Sequence, residues 1–349
     1  MIFLANPSSF HLKTWIEIYR DAEHKISNIF TVHSGDVDDI KPIKIFFLNK
    51  ILSYVILGLI LKIKFIGRPK TDFLHAHGAS GYGLTAFISG LPYIATIYGS
   101  EILGKHGAIY RFVVKKILER AVFITVTSDY TKEVLISIGL DENKVVCFHT
   151  GIDFSKLDSI APDTNNSIYG DKSTYNVVSI RNCAPHYRVE CIIEDFLKFC
   201  RINSQSNYIL HIIFGNGDKE YFDYLKLKYI SNGNVNFING FLPYNELLRL
   251  IRNSDLCINY PITDQLSATL LEAMYLCKNV VSIDLDSYSR LHSKYYFPCV
   301  RFINHLSPND FESLYCDKDF VFQKKNLINE FSIKNASEIF TKYILEKII

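Results

Sequence analysis

Short apolar runs alternate with amphipathic stretches along almost the whole chain, and this alternation narrows the possible folds more than any other feature. Each run predicts a strand, and the apolar residues spaced three and four apart after it predict a helix. Strands that alternate with helices form a parallel, doubly wound sheet. The predicted strands are Ile2–Ala5, Ile26–Val32, Asp72–His77, Pro92–Tyr98, Val122–Thr127, Lys144–His149, Asn176–Ile180, Tyr208–Phe214, Val235–Ile238, Leu256–Tyr260, Val280–Asp284 and Cys299–Ile303.

The alternation occurs as two series, separated by a polar stretch with a proline and a glycine, residues 158–174. A chain of 349 residues is long enough for two domains of ordinary size. We therefore predict an α/β protein with an N-terminal Rossmann-like domain (1–157), a linker (158–174) and a C-terminal domain (175–332). We expect the last helix, 333–349, to pack back on the first domain. Ligands of such sheets bind at the carboxyl ends of the strands, so we expect a cleft where the two domains face each other.

Composition excludes several classes of protein. The chain is 48% hydrophobic and 21% charged, which favours a large core, and its net charge of only +2 argues against a nucleic-acid-binding protein. Its eight cysteines form no CxxC pair, which indicates reduced cysteines in a cytoplasmic protein, without disulfides or a zinc site. The start, MIFLANPSS, lacks the basic flank and the length of a signal peptide.

The segment Lys41–Lys70 combines long apolar runs with seven Lys or Arg residues and no acid. Its apolar part is short for a membrane span. One interpretation is a basic amphipathic helix that lies on an anionic membrane surface. The other is a core helix of the first domain whose lysines point to solvent.

The stretch Tyr260–Cys277 predicts a strand end, a turn and a helix, with Asp264 in the turn and Glu272 eight positions later in the helix. Free N–H groups at a helix N-terminus attract phosphate, and both carboxylates can face a ligand held there. We interpret this stretch as a clamp on a phosphate-bearing sugar. The alternative is that Asp264 or Ser267 is only an N-cap and Glu272 only a solvated helix residue.

Several motifs in order resemble one family, the GT-B glycosyltransferases, and in particular its retaining family 4 members that build bacterial polysaccharides. The motifs are HLKTW, FLHAHGASGYG, PYIATIYGSEIL, VTSDYTKEVLISIGLDENKVVCFHTGIDFSKL, IIFGNGDKEYFDYL, FINGFLPYNELLRLIRNSDLCINYP and LLEAM. The resemblance covers nearly the whole chain. It implies two Rossmann-like domains and transfer of a sugar from a nucleotide diphosphate sugar, as in a hexosyltransferase-type enzyme (EC 2.4).

The resemblance assigns the donor site to the second domain. The family carries two glutamates eight positions apart, which fall here on Asp264 and Glu272; the first contacts the transferred sugar and the second the nucleotide ribose. Ser267 stands where the family usually has glycine. The backbone N–H groups at the helix start and the glycine turn are also implied donor contacts; they belong to Ser267, Ala268, Thr269, Gly215 and Gly217.

The family also neutralises the leaving diphosphate with an arginine and a lysine. Arg181, at the end of a predicted strand, matches the arginine. The sequence that follows has one residue more than the usual spacing, so either Tyr187 or Arg188 occupies the place of the lysine. Arg188 is the candidate that supplies the charge, because a guanidinium suits phosphate.

On the acceptor side, Tyr98 stands where the family often has a histidine. We expect Tyr98 to line the site without acting as a general base. His75 and His77 end a neighbouring strand; we expect them to alternate so that at most one faces the cleft, and His77 is the candidate for a catalytic role. A core histidine with satisfied hydrogen bonds is the alternative. The loop candidates are Ser8, Ser9, Gly78 and Gly99.

The resemblance implies retaining transfer without an assigned protein nucleophile, through an oxocarbenium-like transition state whose developing diphosphate charge is stabilised electrostatically. We expect closure between the domains to exclude water. We predict no metal and no cofactor, since the DxD spacing at Asp284 and Asp286 lies after the clamp stretch. The basic segments favour a lipid-linked saccharide acceptor, O-antigen or capsule assembly, and a cytoplasmic protein peripheral to the inner membrane face.

Two alternatives remain open from the sequence. A non-catalytic GT-B subunit that binds a nucleotide sugar and scaffolds a partner is favoured by the departures at Asp264, Ser267, Tyr98 and the missing lysine. A sugar-nucleotide epimerase of the same fold is the other.

Overall fold

The computed structural model describes residues 1–37, 40–67, 73–104, 106–161, 173–204, 207–288, 291, 295–312 and 317–348. The chain divides into two compact units. The first contains Met1–Gly151 and Phe331–Ile349, and the second contains Ile152–Glu330. The boundary thus lies between Gly151 and Ile152, earlier than the predicted end of the first domain at residue 157. Most of the predicted linker, 162–172, lies outside the described residues.

The first unit is built on a seven-stranded parallel sheet of order β3-β2-β1-β4-β5-β6-β7. The inner strands are buried on both faces, as expected of a parallel sheet with helices on either side. The strands are β1 (Ile2–Leu4), β2 (Asn28–Thr31), β3 (Ile43–Lys44), β4 (Leu74–His77), β5 (Tyr93–Thr96), β6 (Phe123–Val126) and β7 (Val145–Cys147).

Helices of the first unit cover the sheet and complete two apolar clusters of its core. One cluster lies around β4 and β5, and the other joins α1 to the C-terminal helix through Trp15 and Phe340. The helices are α1 (Phe10–Asp21), α2 (Lys50–Lys64), α3 (Gly81–Ser89), α4 (Ser100–Leu103), α5 (Ala108–Arg120) and α6 (Asp129–Ser137). The C-terminal stretch contains the helix Ile333–Phe340, a π-helical turn Thr341–Leu345 and Glu346–Ile348.

The second unit is built on a six-stranded parallel sheet of order β10-β9-β8-β11-β12-β13. Together the two sheets confirm the prediction of two doubly wound α/β domains. The strands are β8 (Tyr175–Ser179), β9 (Tyr208–Ile213), β10 (Val235–Ile238), β11 (Leu256–Asn259), β12 (Val280–Ile283) and β13 (Val300–Ile303).

Some helices of the second unit begin at capping residues that can be read from the sequence. Asp218 and Ser267 accept hydrogen bonds from backbone N–H groups of the first helical turn. The helices are α7 (Phe154–Ser159), α8 (Val189–Ile202), α9 (Lys219–Tyr229), α10 (Tyr244–Asn253), α11 (Ala268–Leu276) and α12 (Asp317–Phe331). Neither β3 nor α7 nor α12 was predicted from the sequence.

The basic segment forms β3 and the helix α2, and one side of that helix packs into the core of the first unit. Leu57 and Leu61 are buried in the core of the first unit, and the Asn49 side chain caps the helix N-terminus. Other apolar residues of α2, including Ile51 and Ile63, are exposed. Residues 68–72 lie outside the described part. None of the helices described here is long and apolar enough to cross a membrane.

Candidate active site

Three neighbouring strands of the second sheet, β8, β11 and β12, each lead into a loop that carries a polar side chain. Arg181 follows β8, Asp264 follows β11, and Tyr288 follows β12. Carboxyl ends of parallel strands meet at one edge of the sheet, and the structure brings these three side chains into direct contact there.

Arg181 and Asp264 form an ion pair. The Arg181 Nη1 donates to Asp264 Oδ2 at 2.9 Å, and both side chains are largely buried. Burial lowers the pKa of Arg181, but the charge of Asp264 acts together with Tyr187 and Tyr288 to raise that pKa above its ordinary value. Burial raises the pKa of Asp264, while Arg181 and a hydrogen bond from Tyr288 oppose this by stabilising the charged form. The pair thus sets a cation and a carboxylate side by side at the sheet edge.

Tyr187 holds the guanidinium from its other side. Arg181 Nη2 donates to the Tyr187 hydroxyl at 3.2 Å, and the guanidinium carbon lies 4.6 Å from the centre of the Tyr187 ring. Arg188, the other candidate for the place of the lysine, has a left-handed backbone (φ 48) and stacks its guanidinium on Tyr260 at 4.8 Å. Of the two candidates, Tyr187 therefore contacts Arg181, and Arg188 contacts Tyr260.

The loop around Asp264 is also fixed through its backbone. Ser287 Oγ donates to the Asp264 carbonyl at 2.7 Å, and His186 Nε2 donates to the Thr263 carbonyl at 2.6 Å. Because the loops after β8 and β12 both hold it, the position of the carboxylate depends on all three strands.

The helix α11 starts directly after this loop. Ser267 is its N-cap, and the Ser267 Oγ accepts from the Leu270 N–H at 3.3 Å. Ala268 and Thr269 are the first two helical residues, and with Ser267 they are half-buried. The positive end of the helix therefore lies in the same loop as Asp264, as the sequence predicted.

Glu272 lies in the middle of α11 and is only 1% exposed, so it is not the solvated helix residue of the alternative interpretation. The Tyr244 hydroxyl donates to Glu272 Oε1 at 2.5 Å, and the Lys156 Nζ lies 4.6 Å from the centre of the Tyr244 ring. Burial raises the pKa of Glu272 to about 7, although the Tyr244 hydrogen bond and the Lys156 charge both lower it. Glu272 is therefore a buried carboxyl that titrates near neutral pH.

Gly215 and Gly217 form the turn after β9 and pack against the loop that follows Arg181. Gly215 has φ 59, and a Cβ there would lie 2.1 Å from Asn182 Oδ1. A Cβ on Gly217 would lie 2.2 Å from the Cys183 carbonyl oxygen. Close contact with the loop after Arg181 thus explains why both positions are glycine. Contact of these glycines with a donor remains a prediction.

The acceptor candidates of the first unit follow three neighbouring strands, β1, β4 and β5. His77 Nδ1 lies 2.9 Å from the Tyr98 hydroxyl, and the ring of His11 stacks on Tyr98 with centroids 4.4 Å apart. Burial, followed by the charges of His75 and His11, lowers the pKa of His77 well below its ordinary value. A neutral His77 therefore fits this cluster.

The expectation that His75 and His77 alternate was wrong. Their rings lie on the same face of the sheet, 4.7 Å apart, because residues two apart in a strand share a face. His75 forms hydrogen bonds with Tyr19 and Thr96, and burial lowers its pKa to about 3, as in a core histidine. His77 Nε2 is buried without a hydrogen-bond partner among the described residues.

Glu101 connects two acceptor-side loops, and the sequence analysis did not single it out. Its carboxylate accepts from the Ala79 N–H at 3.1 Å and from the Tyr98 N–H at 3.3 Å. Gly78 (φ 107) and Gly99 (φ 98) occupy the left-handed region in these loops.

The two serines of the loop after β1 differ in their contacts. Ser8 donates its hydroxyl to the Ser34 carbonyl at 3.2 Å. Ser9 is the N-cap of α1 without a side-chain hydrogen bond of its own. Both serines therefore lie in the loop that the sequence predicted for the acceptor side.

The sequence also missed Tyr288, Tyr244 and Lys156. Tyr288 follows a predicted strand, and only the strand order shows that this strand neighbours β11. Within the described ranges, no three His, Cys, Asp or Glu side chains are grouped as metal ligands would be.

Comparison with known proteins decides the family. Residues 11–156 match the model of Glycosyltransferase Family 4, and residues 166–296 match that of Glycosyl transferases group 1. The protein is a GT-B glycosyltransferase of the family 4 type. This confirms the family that the motifs indicated, and it makes the protein an enzyme of class EC 2.4.

Solved structures agree with the GT-B fold of this glycosyltransferase. Anabaena HepE, solved in complex with UDP-glucose, has a TM-score of 0.77 at 13% identity over 99% of both chains. A glycosyltransferase from Rickettsia africae has a TM-score of 0.68 at 13% identity over 98% of both chains. Sucrose-phosphate synthase from Thermosynechococcus elongatus has 0.67 at 12% identity over 99% of this chain and 95% of that one. No curated protein matched the sequence.

Proposed function

We propose that this glycosyltransferase moves a sugar, with retention of configuration, from a nucleotide diphosphate sugar to a lipid-linked saccharide in the assembly of a bacterial surface polysaccharide. The observation that carries the donor part is the contact of Arg181 with Asp264 in the loop that opens α11, with Glu272 buried two turns further on. A cation and a helix N-terminus together suit a diphosphate, and two carboxylates suit sugar and ribose hydroxyls.

In this proposal the leaving diphosphate gathers negative charge in the transition state. Arg181 and the N–H groups of Ser267, Ala268 and Thr269 stabilise that charge. Asp264 accepts from the transferred sugar, and Glu272 accepts from the ribose. Arg188 adds charge on the donor side, and Gly215 and Gly217 shape the turn beside it. No metal or cofactor takes part, so activity should survive saturation with EDTA.

His77 and Tyr98 belong to the acceptor side of the proposal, together with the loops at Ser8, Ser9, Gly78 and Gly99. A histidine kept neutral by burial accepts or donates one hydrogen bond without carrying charge. We therefore assign His77 the orientation of a substrate hydroxyl, with Tyr98 holding its ring.

The donor part is tested by calorimetry with UDP, GDP and dTDP sugars, starting with UDP-glucose because HepE was solved with it. One donor should bind at micromolar affinity, and Glu272→Ala should bind it at least tenfold more weakly. Glu220→Ala, at an exposed glutamate of α9, is the matched control. Equal binding by Glu272→Ala and the control would contradict the assignment of Glu272.

Retention is tested by NMR of the first product formed from the donor that binds. The anomeric proton should show the same configuration in product and donor before any mutarotation. An inverted product would refute the retaining part and leave the transferase activity intact.

The membrane part rests on the exposed side of the first unit. The helix α3 packs against both α2 and α5, and these helices expose large apolar side chains, with Ile63 at 71%, Ile109 at 83% and Phe112 at 63%. Lysines surround them, and Lys116 Nζ lies 5.8 Å from the Phe112 ring. Apolar residues bordered by lysines are typical of a surface that inserts shallowly into an anionic membrane. This is where a lipid-linked acceptor would be found.

Vesicle flotation tests this part with phosphatidylglycerol against phosphatidylcholine vesicles. The wild type should float with the anionic vesicles only, and a double variant, Ile63→Ser with Phe112→Ser, should lose flotation. Leu227→Ser with Ile230→Ser is the matched control, because those residues are equally exposed but lie in the second unit. Equal flotation by both double variants would refute the membrane surface.

One observation favours the non-catalytic alternative. Arg181 already has Asp264 and Tyr187 as partners, as in a site that no longer needs to stabilise a leaving group. Turnover of the bound donor by the isolated chain would exclude this alternative, and product formation without an acceptor would favour the epimerase.

A further inference from the structure

A chain of buried polar side chains lies behind Asp264. Asn259, Ser282 and Tyr288 have no exposed surface. The Asn259 Nδ2 donates to Ser282 Oγ at 3.0 Å and to the Tyr288 hydroxyl at 3.3 Å. The Tyr288 hydroxyl in turn donates to Asp264 Oδ2 at 2.6 Å. These hydrogen bonds therefore start at Asn259 at the end of β11, reach Ser282 in β12 and Tyr288 after it, and end on the carboxylate.

The donor and acceptor groups of these side chains fix the direction of each hydrogen bond. An amide NH₂ group only donates, so the Tyr288 hydroxyl must accept from Asn259. The single phenolic proton of Tyr288 is then directed at the carboxylate, which only accepts when ionised. Burial and the neighbouring charge of Asp264 raise the pKa of Tyr288 well above its ordinary value, so the phenol keeps that proton.

Packing alone would not require these groups. Three buried polar side chains carry a desolvation cost that apolar residues of similar size would avoid. The cost is visible at Asn259, whose Oδ1 is buried without a partner among the described residues. These hydrogen bonds orient the carboxylate, because Tyr288 and Arg181 both make their short contacts with the same oxygen, Asp264 Oδ2. The contact of Arg181 with Oδ1 is long, at 3.5 Å.

We infer that Tyr288 is a positioning residue for sugar transfer: its hydroxyl fixes the rotation of the Asp264 carboxylate, and so holds Arg181 in place through their shared oxygen. This inference rests on the proposed function, in which Asp264 contacts the transferred sugar. Tyr288 itself touches no reacting atom.

Tyr288→Phe removes only the hydroxyl and tests this role. A hydrogen bond to a charged group is worth enough for its loss to lower kcat about ten- to a hundredfold. The donor Kd should change by less than about threefold, because Glu272 and the helix N-terminus are untouched. The lost hydrogen bond stabilised the charged carboxylate, so the acidic limb of the kcat profile should move to higher pH.

Tyr224→Phe is the matched control, because its exposed hydroxyl donates to Glu190 and has no contact with Asp264. Circular dichroism shows whether each variant folds. Should Tyr288→Phe not fold, Asn259→Ala removes the donor to the phenol and should also move the acidic limb to higher pH, with a smaller fall in kcat.

Each outcome bears on a different claim. If the wild type turns over no nucleotide sugar, the proposed function fails and the role of Tyr288 fails with it. If the wild type is active and Tyr288→Phe keeps its kcat and its pH profile, only the role of Tyr288 is overturned. A variant that is less stable but has the wild-type pH profile would indicate a structural role, and would also overturn it.

Discussion

The buried carboxyl of Glu272 should make the stability of the second unit fall as pH rises. Its pKa of about 7 in the folded protein compares with an ordinary value of 4.5. The folded state therefore binds the proton more tightly than the unfolded state does. The stability from this group is complete below the ordinary pKa and is lost as pH rises through about 7. The difference between the two pKa values corresponds to about 3 kcal/mol.

Glu272→Gln removes the titration and keeps an oxygen that can accept from Tyr244. We expect the stability of the wild type, relative to this variant, to fall by about 2 to 3 kcal/mol between pH 5 and pH 8.5. The rest of the stabilisation by Glu272 has already been lost at pH 5. Any cost of burying the amide is independent of pH and cancels from this difference.

Urea unfolding at the two pH values measures the effect by circular dichroism. The protein offers an internal control, since its one tryptophan, Trp15, lies in the first unit. If the units unfold separately, tryptophan fluorescence should show no difference between the wild type and Glu272→Gln. The same difference in stability at pH 5 and at pH 8.5 would refute the reasoning, because a carboxyl that does not titrate in this range cannot contribute to it.

Three further outcomes are expected. Arg181→Lys keeps the charge but loses the planar fork, and should lower kcat about a hundredfold in a turnover assay; an unchanged kcat would exclude Arg181 from charge stabilisation. Tyr244→Phe should raise the pKa of Glu272, so donor affinity should drop at pH 7 and recover at pH 9 in calorimetry; a loss that is equal at both pH values would contradict this. Gly217→Ala should lower the melting temperature by several degrees, because its Cβ would lie 2.2 Å from a backbone carbonyl oxygen, whereas Gly233→Ala, with open space around it, should not.

Much of the fold was predictable from local pattern. Parallel strands buried on both faces appear as continuous apolar runs, and each predicted run overlaps a strand of the structure. Among the missed elements, β3 has two residues and α7 has six, whereas α12 is a helix of 15 residues. The structure places the boundary between the units before α7, which belongs to the second unit, whereas the polar stretch 158–174 begins inside α7.

Three donor candidates could be predicted to lie together, because they are close in sequence. Asp264, Ser267 and Glu272 belong to one strand–turn–helix stretch, and the structure keeps them on it. The error at His75 and His77 came from local geometry, since residues two apart in a strand share a face.

The sequence by itself determined two parallel α/β domains, the family, and the spacing of the two carboxylates, because these depend on periodicity and on neighbours along the chain. Only the tertiary structure decided what each carboxylate touches. Asp264 pairs with an arginine 83 positions earlier and a tyrosine 24 positions later, and Glu272 pairs with a tyrosine 28 positions earlier. These partners meet because the strand order makes β8, β11 and β12 neighbours, and α10 and α11 pack together. Burial of Glu272, and hence its pKa near neutrality, follows from that packing and from nothing in its local sequence.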